Sequence, residues 1–182
     1  YELEQQIELF SRVIDNISPT YDIEVRTIRE LCNIETGLPR IPDKNVQNNL
    51  LRRMLSIAPG ERVPRHRLIR NLISLGEFEK AETEIRIYQK DFRREAPIER
   101  YKILLLIARA TETKGLQLGD RSVILEQARE LAAASAERYD GNKHVLGAYC
   151  EVGVHAFKLT GSHKIFDEAM SVLRKAESQL RS

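Results

Sequence analysis

The residues in this chain best suited to chemistry are arginines. The segment "LLRRMLSIAPGERVPRHRLIRNL" holds Arg52, Arg53, Arg62, Arg65, Arg67 and Arg70, with His66 among them, against the single acid Glu61. On a helix Arg62, His66 and Arg70 step by four and Arg67 and Arg70 by three, which makes one ridge basic while Leu68, Leu72 and Leu75 turn inward. Guanidinium forks pair with two-oxygen anions, so such a ridge offers recognition of a carboxylate or a phosphate. Charge is spread unevenly. Residues 1–51 carry 5 basic and 9 acidic side chains, residues 52–109 carry 14 and 8, and residues 110–182 carry 10 of each. With a net charge of only +2, the middle third is the electrostatically distinct part of the chain.

Other chemistries lack their residues. "LTGSHK" has one Gly and a Lys, where a phosphate-cradling loop needs a full glycine-rich run. No Ser sits in a G-x-S-x-G elbow, and no spacing supports a nucleophile, a base and an orienting group, so the chain reads as a non-enzyme. Of the histidines, His144, His155 and His163 fall close together, and Glu151 precedes His155 by four. The H-x-x-x-H spacing and cysteine partners of a metal site are lacking, so no metal and no cofactor are assigned. Cys32 and Cys150 are too far apart in sequence for a disulfide framework and read as reduced thiols in a cytoplasmic setting. The longest apolar run, Ile103 to Ala108, falls far short of the ~20 residues that span a bilayer. The chain opens on Tyr1 with helix-like sequence already running, which reads as a piece of a larger protein.

The elements that must position these residues are helices. Leu, Ile, Ala, Glu and Arg dominate and Trp is absent, a mixture that favours helix over strand. Turn and cap chemistry divides the chain into about nine helices: 2–17, 22–35, 43–57, 63–75, 77–93, 97–114, 121–139, 142–160 and 164–181. Asp22 and Asp43 are placed to cap, and Pro97 suits a first turn. Three helices share one apolar stripe with Ala in second place: Phe78, Ala81, Ile85, Tyr88, Phe92; then Leu125, Ala128, Ala132, Ser135, Tyr139; then Phe166, Ala169, Leu173, Ala176, Leu180. Each stripe follows a turn bearing Gly76, Gly115 or Gly119, or Gly161, and an apolar helix precedes each turn. Gly supplies the left-handed backbone that ends a helix, and small Ala, like Gly147, Ala148 and Gly153, lets a partner helix approach. "YKILLLIARA", apolar on nearly all sides, fits a helix buried before and behind.

Gly76-Glu77-Phe78-Glu79-Lys80-Ala81, with Pro59 where the preceding unit should end and "FDEAMSVLRKA" as a second helix, resembles the tetratricopeptide repeat. The anchor alanines stand 47 and then 41 residues apart, so turns such as "GLQLGDRS" carry insertions relative to a unit of about 34. The resemblance covers about residues 44–182 and leaves residues 1–43 as an N-terminal helical pair of unassigned repeat type, within a single helical-repeat domain over 1–182. It implies an all-α fold, a right-handed superhelical stack of antiparallel hairpins whose first helices line a concave groove. His66, Arg67 and Arg70, with Lys102 and Arg109 on the next unit's first helix, then become partner-binding residues for a protein or acidic peptide. Two alternatives stand beside it: a nucleic-acid or phosphate ligand on the basic 52–109 segment, and a dimerisation scaffold beside a catalytic domain. Aromatic residues are not interleaved with the arginines as single-stranded nucleic acid would want.

Overall fold

The computed structural model describes residues 2–16, 27–28, 30–32, 37–92 and 95–180. Among these there are eight α-helices, one short 3-10 turn and no strand. The count is eight where nine are expected, because the helix placed at 22–35, with its capping Asp22, falls mostly outside the described residues. The chain divides into two compact units, Tyr1–Leu75 and Gly76–Ser182. The division falls between the two helices that flank the Gly76 turn.

The first unit contains α1 (Glu2–Asp15), a turn at Leu38–Arg40, α2 (Lys44–Ile57) and α3 (Arg62–Ser74). α2 packs on both α1 and α3. Asp43 caps α2 as its sequence position predicts, its carboxylate accepting from the Asn45 and Val46 amides at 2.7 and 3.4 Å. Apolar residues at steps of three and four close the core: Leu50, Leu51 and Met54 from α2 against Leu68, Ile69 and Leu72 from α3. The buried Gln47 and Asn48 side chains of this core are paired. Asn71 donates to the side-chain carbonyls of Gln47 and Asn48 at 2.9 and 3.0 Å, which ties α3 to α2 and sets their register. Leu75, expected to face inward, is 37% exposed, because it caps the C-terminus of α3 and lies past its buried face.

The second unit contains α4 (Phe78–Asp91), α5 (Ala96–Glu112), α6 (Leu118–Arg138), α7 (Lys143–Thr160) and α8 (Lys164–Leu180). Each helix packs on the next, and α5 also packs on α7. Of the stripe residues Ala81, Ile85, Tyr88, Leu125, Ala128, Ala132, Ser135, Ala169 and Ala176 are buried, and Phe78, Phe92, Tyr139, Phe166 and Leu173 are half-buried. α5 buries Ile98, Tyr101, Ile103, Leu105, Ile107 and Ala108 on several sides, as a helix flanked by three others must. Pro97 lies in its first turn. Gly76, Gly115 and Gly161 take φ of 72, 81 and 70°, the left-handed backbone their turns need. Gly119 instead lies within α6, which starts at Leu118 and absorbs most of the expected insertion.

Two residues hold this unit in ways that spacing does not announce. Arg121 donates to the carbonyls of Ala110, Thr111, Thr113 and Leu116 at 2.6 to 3.1 Å, so one guanidinium satisfies the last carbonyls of α5 and the turn that follows. Gly153 on α7 lies where an added Cβ would come within 2.7 Å of the Phe166 Cα, so α8 begins in direct contact with bare α7 backbone. Gly147 does not share that role, since nothing lies within 4 Å of its missing Cβ.

Candidate functional site

The five expected site residues separate into two sets. His66, Arg67 and Arg70 lie on α3 in the first unit, and Lys102 and Arg109 on α5 in the second. Much of the basic segment acts inside the first unit. Arg67 donates through Nε to the Cys32 carbonyl at 2.8 Å. Arg65 is only 5% exposed and donates to the Pro59 carbonyl at 3.0 Å. Arg53 on α2 reaches Asp15 and the Ser11 hydroxyl on α1. Arg70 is exposed, and His66 is half-buried.

Lys102 and Arg109 are brought together. Seven residues apart on α5, they share a face, and both line a cleft of about 290 Å³ walled by α4 and floored by Leu105 and Leu106, with Leu131 of α6 opposite. Both lie on α5, and the walls come from the helices before and after it, α4 and α6. Arg109 donates from Nη2 to Glu79 Oε1 at 2.8 Å and to Glu82 Oε2 at 2.7 Å. Arg86 donates to the other Glu82 oxygen. Hydrogen bonds from Arg109 first and Arg86 second hold the Glu82 carboxyl below its usual range. Lys102 lies 3.4 Å from the Glu99 carboxylate, whose same oxygen is 4.0 Å from Arg138.

These contacts differ in worth. The Glu79 side chain is 89% exposed and that of Arg109 27%, so their bond is water-screened and contributes about 1 kcal/mol at most. The Arg109–Glu82 contact joins two side chains that are both less than a third exposed, and it anchors the guanidinium in place. Three cations (Arg86, Lys102, Arg109) and one carboxylate (Glu82) line the cleft over an apolar floor, and Glu79 and Glu99 pair with Arg109 and Lys102 beside it. Arg109 can exchange the exposed Glu79 for another carboxylate while keeping Glu82.

Among the described residues no group of three His, Cys, Asp or Glu could hold a metal ion. His163 packs its ring on Phe157 at 4.4 Å, His144 is exposed, and His155 is half-buried. Among the described residues no helix is long and apolar enough to cross a membrane. Sequence reasoning singled out Lys102 and Arg109 and missed Glu79, Glu82 and Arg86. The signal was available in part, since Glu82 and Arg86 stand four apart on one helix face. Comparisons with protein-family models, with curated proteins and with solved structures find no match to this chain.

Proposed function

We propose that the chain is a non-enzymatic interaction module built as a tetratricopeptide-like right-handed stack of helical hairpins, and that it binds an acidic segment of a partner protein. The observation that carries this reading is the cleft around Lys102 and Arg109, where a half-buried guanidinium is held by Glu82 and turned toward a weakly tethered, exposed Glu79. Packing of α5 against α7 as well as α6 supports the stacked-hairpin reading, since first helices of successive repeats meet in such arrays. A ligand carboxylate would replace Glu79 on Arg109, with Lys102 and Arg86 as flanking cations and Leu105 and Leu106 receiving an apolar side chain. Two free cysteines, one of them buried, are consistent with a reducing, cytoplasmic setting.

The test is fluorescence anisotropy with a labelled Asp/Glu-rich peptide. Arg109→Glu and Lys102→Glu should each weaken binding about tenfold or more, as loss of a charge pair at an interface does. Arg70→Glu, in the first unit, should leave affinity unchanged. If Arg70→Glu abolished binding while Arg109→Glu did not, the site would lie on the α3 ridge and this assignment would fall.

A further inference from the structure

A second groove in the same unit differs in charge from one end to the other. It lies between α6 and α8 and is floored by α7. The lining residues of α6 run from Ser122 through Glu126 and Arg129 to Ala133, Ala136 and Glu137, all on one helical face. Ser122 to Glu137 spans roughly 22 Å at the rise of an α-helix. The Arg129–Glu168 ion pair, at 3.4 Å, crosses the groove and divides it into cavities of about 270 and 630 Å³. In the larger one Glu137, Asp140 and Glu168 outnumber Lys175, and in the smaller Arg129 and Lys164 outnumber Glu126. The groove therefore has an acidic end and a weakly basic end.

We infer that this groove receives a helical segment of a partner protein, apolar on one face and basic toward its N-terminus, lying antiparallel to α6. Charge complementarity sets the orientation. The positive end of a helix dipole belongs over Glu137 and Asp140, and its negative end near Lys164. The walls are helices and present no strand edge, so an extended peptide would lay unpaired N–H and C=O groups on Leu146, Tyr149 and Val172, whereas a helix arrives with its backbone already satisfied. Small side chains on both walls, Ala133 and Ala136 facing Ser171 and Ala176, allow a close approach. Arg129 also bonds Glu126 at 2.6 Å. Glu168 can thus pass from Arg129 to a partner's Lys or Arg while Arg129 keeps a carboxylate.

The inference does not rest on the cleft around Lys102 and Arg109, and its test separates the two. The probe is a fluorescein-labelled synthetic Ala-Leu-Lys amphipathic helix of about 15 residues, with lysines weighted to its N-terminal half. Saturable anisotropy is expected, weakened at least about tenfold by combined Glu137→Lys and Asp140→Lys, both exposed positions. Ser171→Trp, at another exposed position, should block binding by filling the groove. Arg109→Glu should leave it unchanged. A control with a central proline, or with glutamates for lysines, should not bind. Lack of saturation below about 1 mM, equal binding by the proline control, insensitivity to the double charge reversal, or loss on Arg109→Glu would each overturn the inference.

Discussion

Two glycines on α7 receive opposite predictions for the same substitution. Gly147 and Gly153 both lie inside the helix Lys143–Thr160, and neither takes a positive φ. Replacing either by Ala improves helix propensity by about 0.8–1 kcal/mol and restricts the unfolded chain equally. At Gly147 nothing lies within 4 Å of the new methyl, so Gly147→Ala should stabilise by nearly that amount. At Gly153 the methyl would meet Phe166 Cα at 2.7 Å, Phe166 N at 3.1 Å and the Ile165 carbonyl oxygen at 3.3 Å. Comfortable carbon–carbon contact needs about 3.5–4.0 Å. The obstruction is backbone, so the first turn of α8 would have to move by most of an ångström. Overpacking of this kind costs about 1–3 kcal/mol, which cancels or exceeds the propensity gain. Because propensity and unfolded-state effects are shared, the difference between the two variants isolates the α7–α8 contact and should be about 1–3 kcal/mol. Urea unfolding followed by tyrosine fluorescence measures it, since Tyr88, Tyr101, Tyr139 and Tyr149 all report on the second unit. Equal shifts for the two variants, or net stabilisation by Gly153→Ala, would refute the close packing of α8 on α7.

Three further outcomes follow from named side chains. Arg121→Ala should cost roughly 2 kcal/mol, as expected when charge-assisted bonds to carbonyls are lost; Arg121→Lys should recover less than half of this in the same urea titration, since one ammonium cannot span four carbonyls. Burial pushes the Cys32 thiol up to about 12, and burial also raises Cys150, which is half-buried; a thiol reagent at neutral pH should titrate Cys150 slowly and Cys32 only after denaturation, and two fast equivalents in the folded protein would contradict the burial of Cys32. Burial first and Lys158 second hold the His155 imidazole below 6.5, against the opposing pull of Glu151 and Glu112. The unfolded chain then binds more protons than the native one, so this contribution to stability is complete above 6.5 and is lost as pH falls through the lowered native value. His155→Asn should flatten the slope of stability against pH in that window.

The helices were legible because their signals are local. Apolar spacing, Asp43 as a cap, Pro97 in a first turn and Gly at three turns each act within a few residues, and the helices follow them. What sequence does not carry is which helix faces which. Gly147 and Gly153 look alike in the string, yet only Gly153 meets another backbone. Arg121 reads as an ordinary surface charge near a turn until the end of α5 is seen folded back within its reach. The start of α6 at Leu118 was hidden by Gly119, whose poor propensity yields to the helix around it.

Charge was the hardest signal to interpret, for a physical reason. A count of arginines measures how much positive charge a segment carries and says nothing of where the carboxylates fall in space. In the 52–70 run, Arg53, Arg65 and Arg67 are committed to Asp15, to the Pro59 carbonyl and to the Cys32 carbonyl respectively. All three acceptors lie at least six residues away, beyond any helical spacing rule. Arg109 is also paired, but one of its two carboxylates stands almost wholly in water. A cation suits recognition when its present partner is easily replaced, and that depends on the partner's burial. By this criterion Arg65 and Arg67, held by backbone carbonyls, are structural cement, whereas Arg53 holds an Asp15 that is itself 64% exposed. The cleft around Lys102 and Arg109, unremarkable in charge count, is the better place to expect an anion.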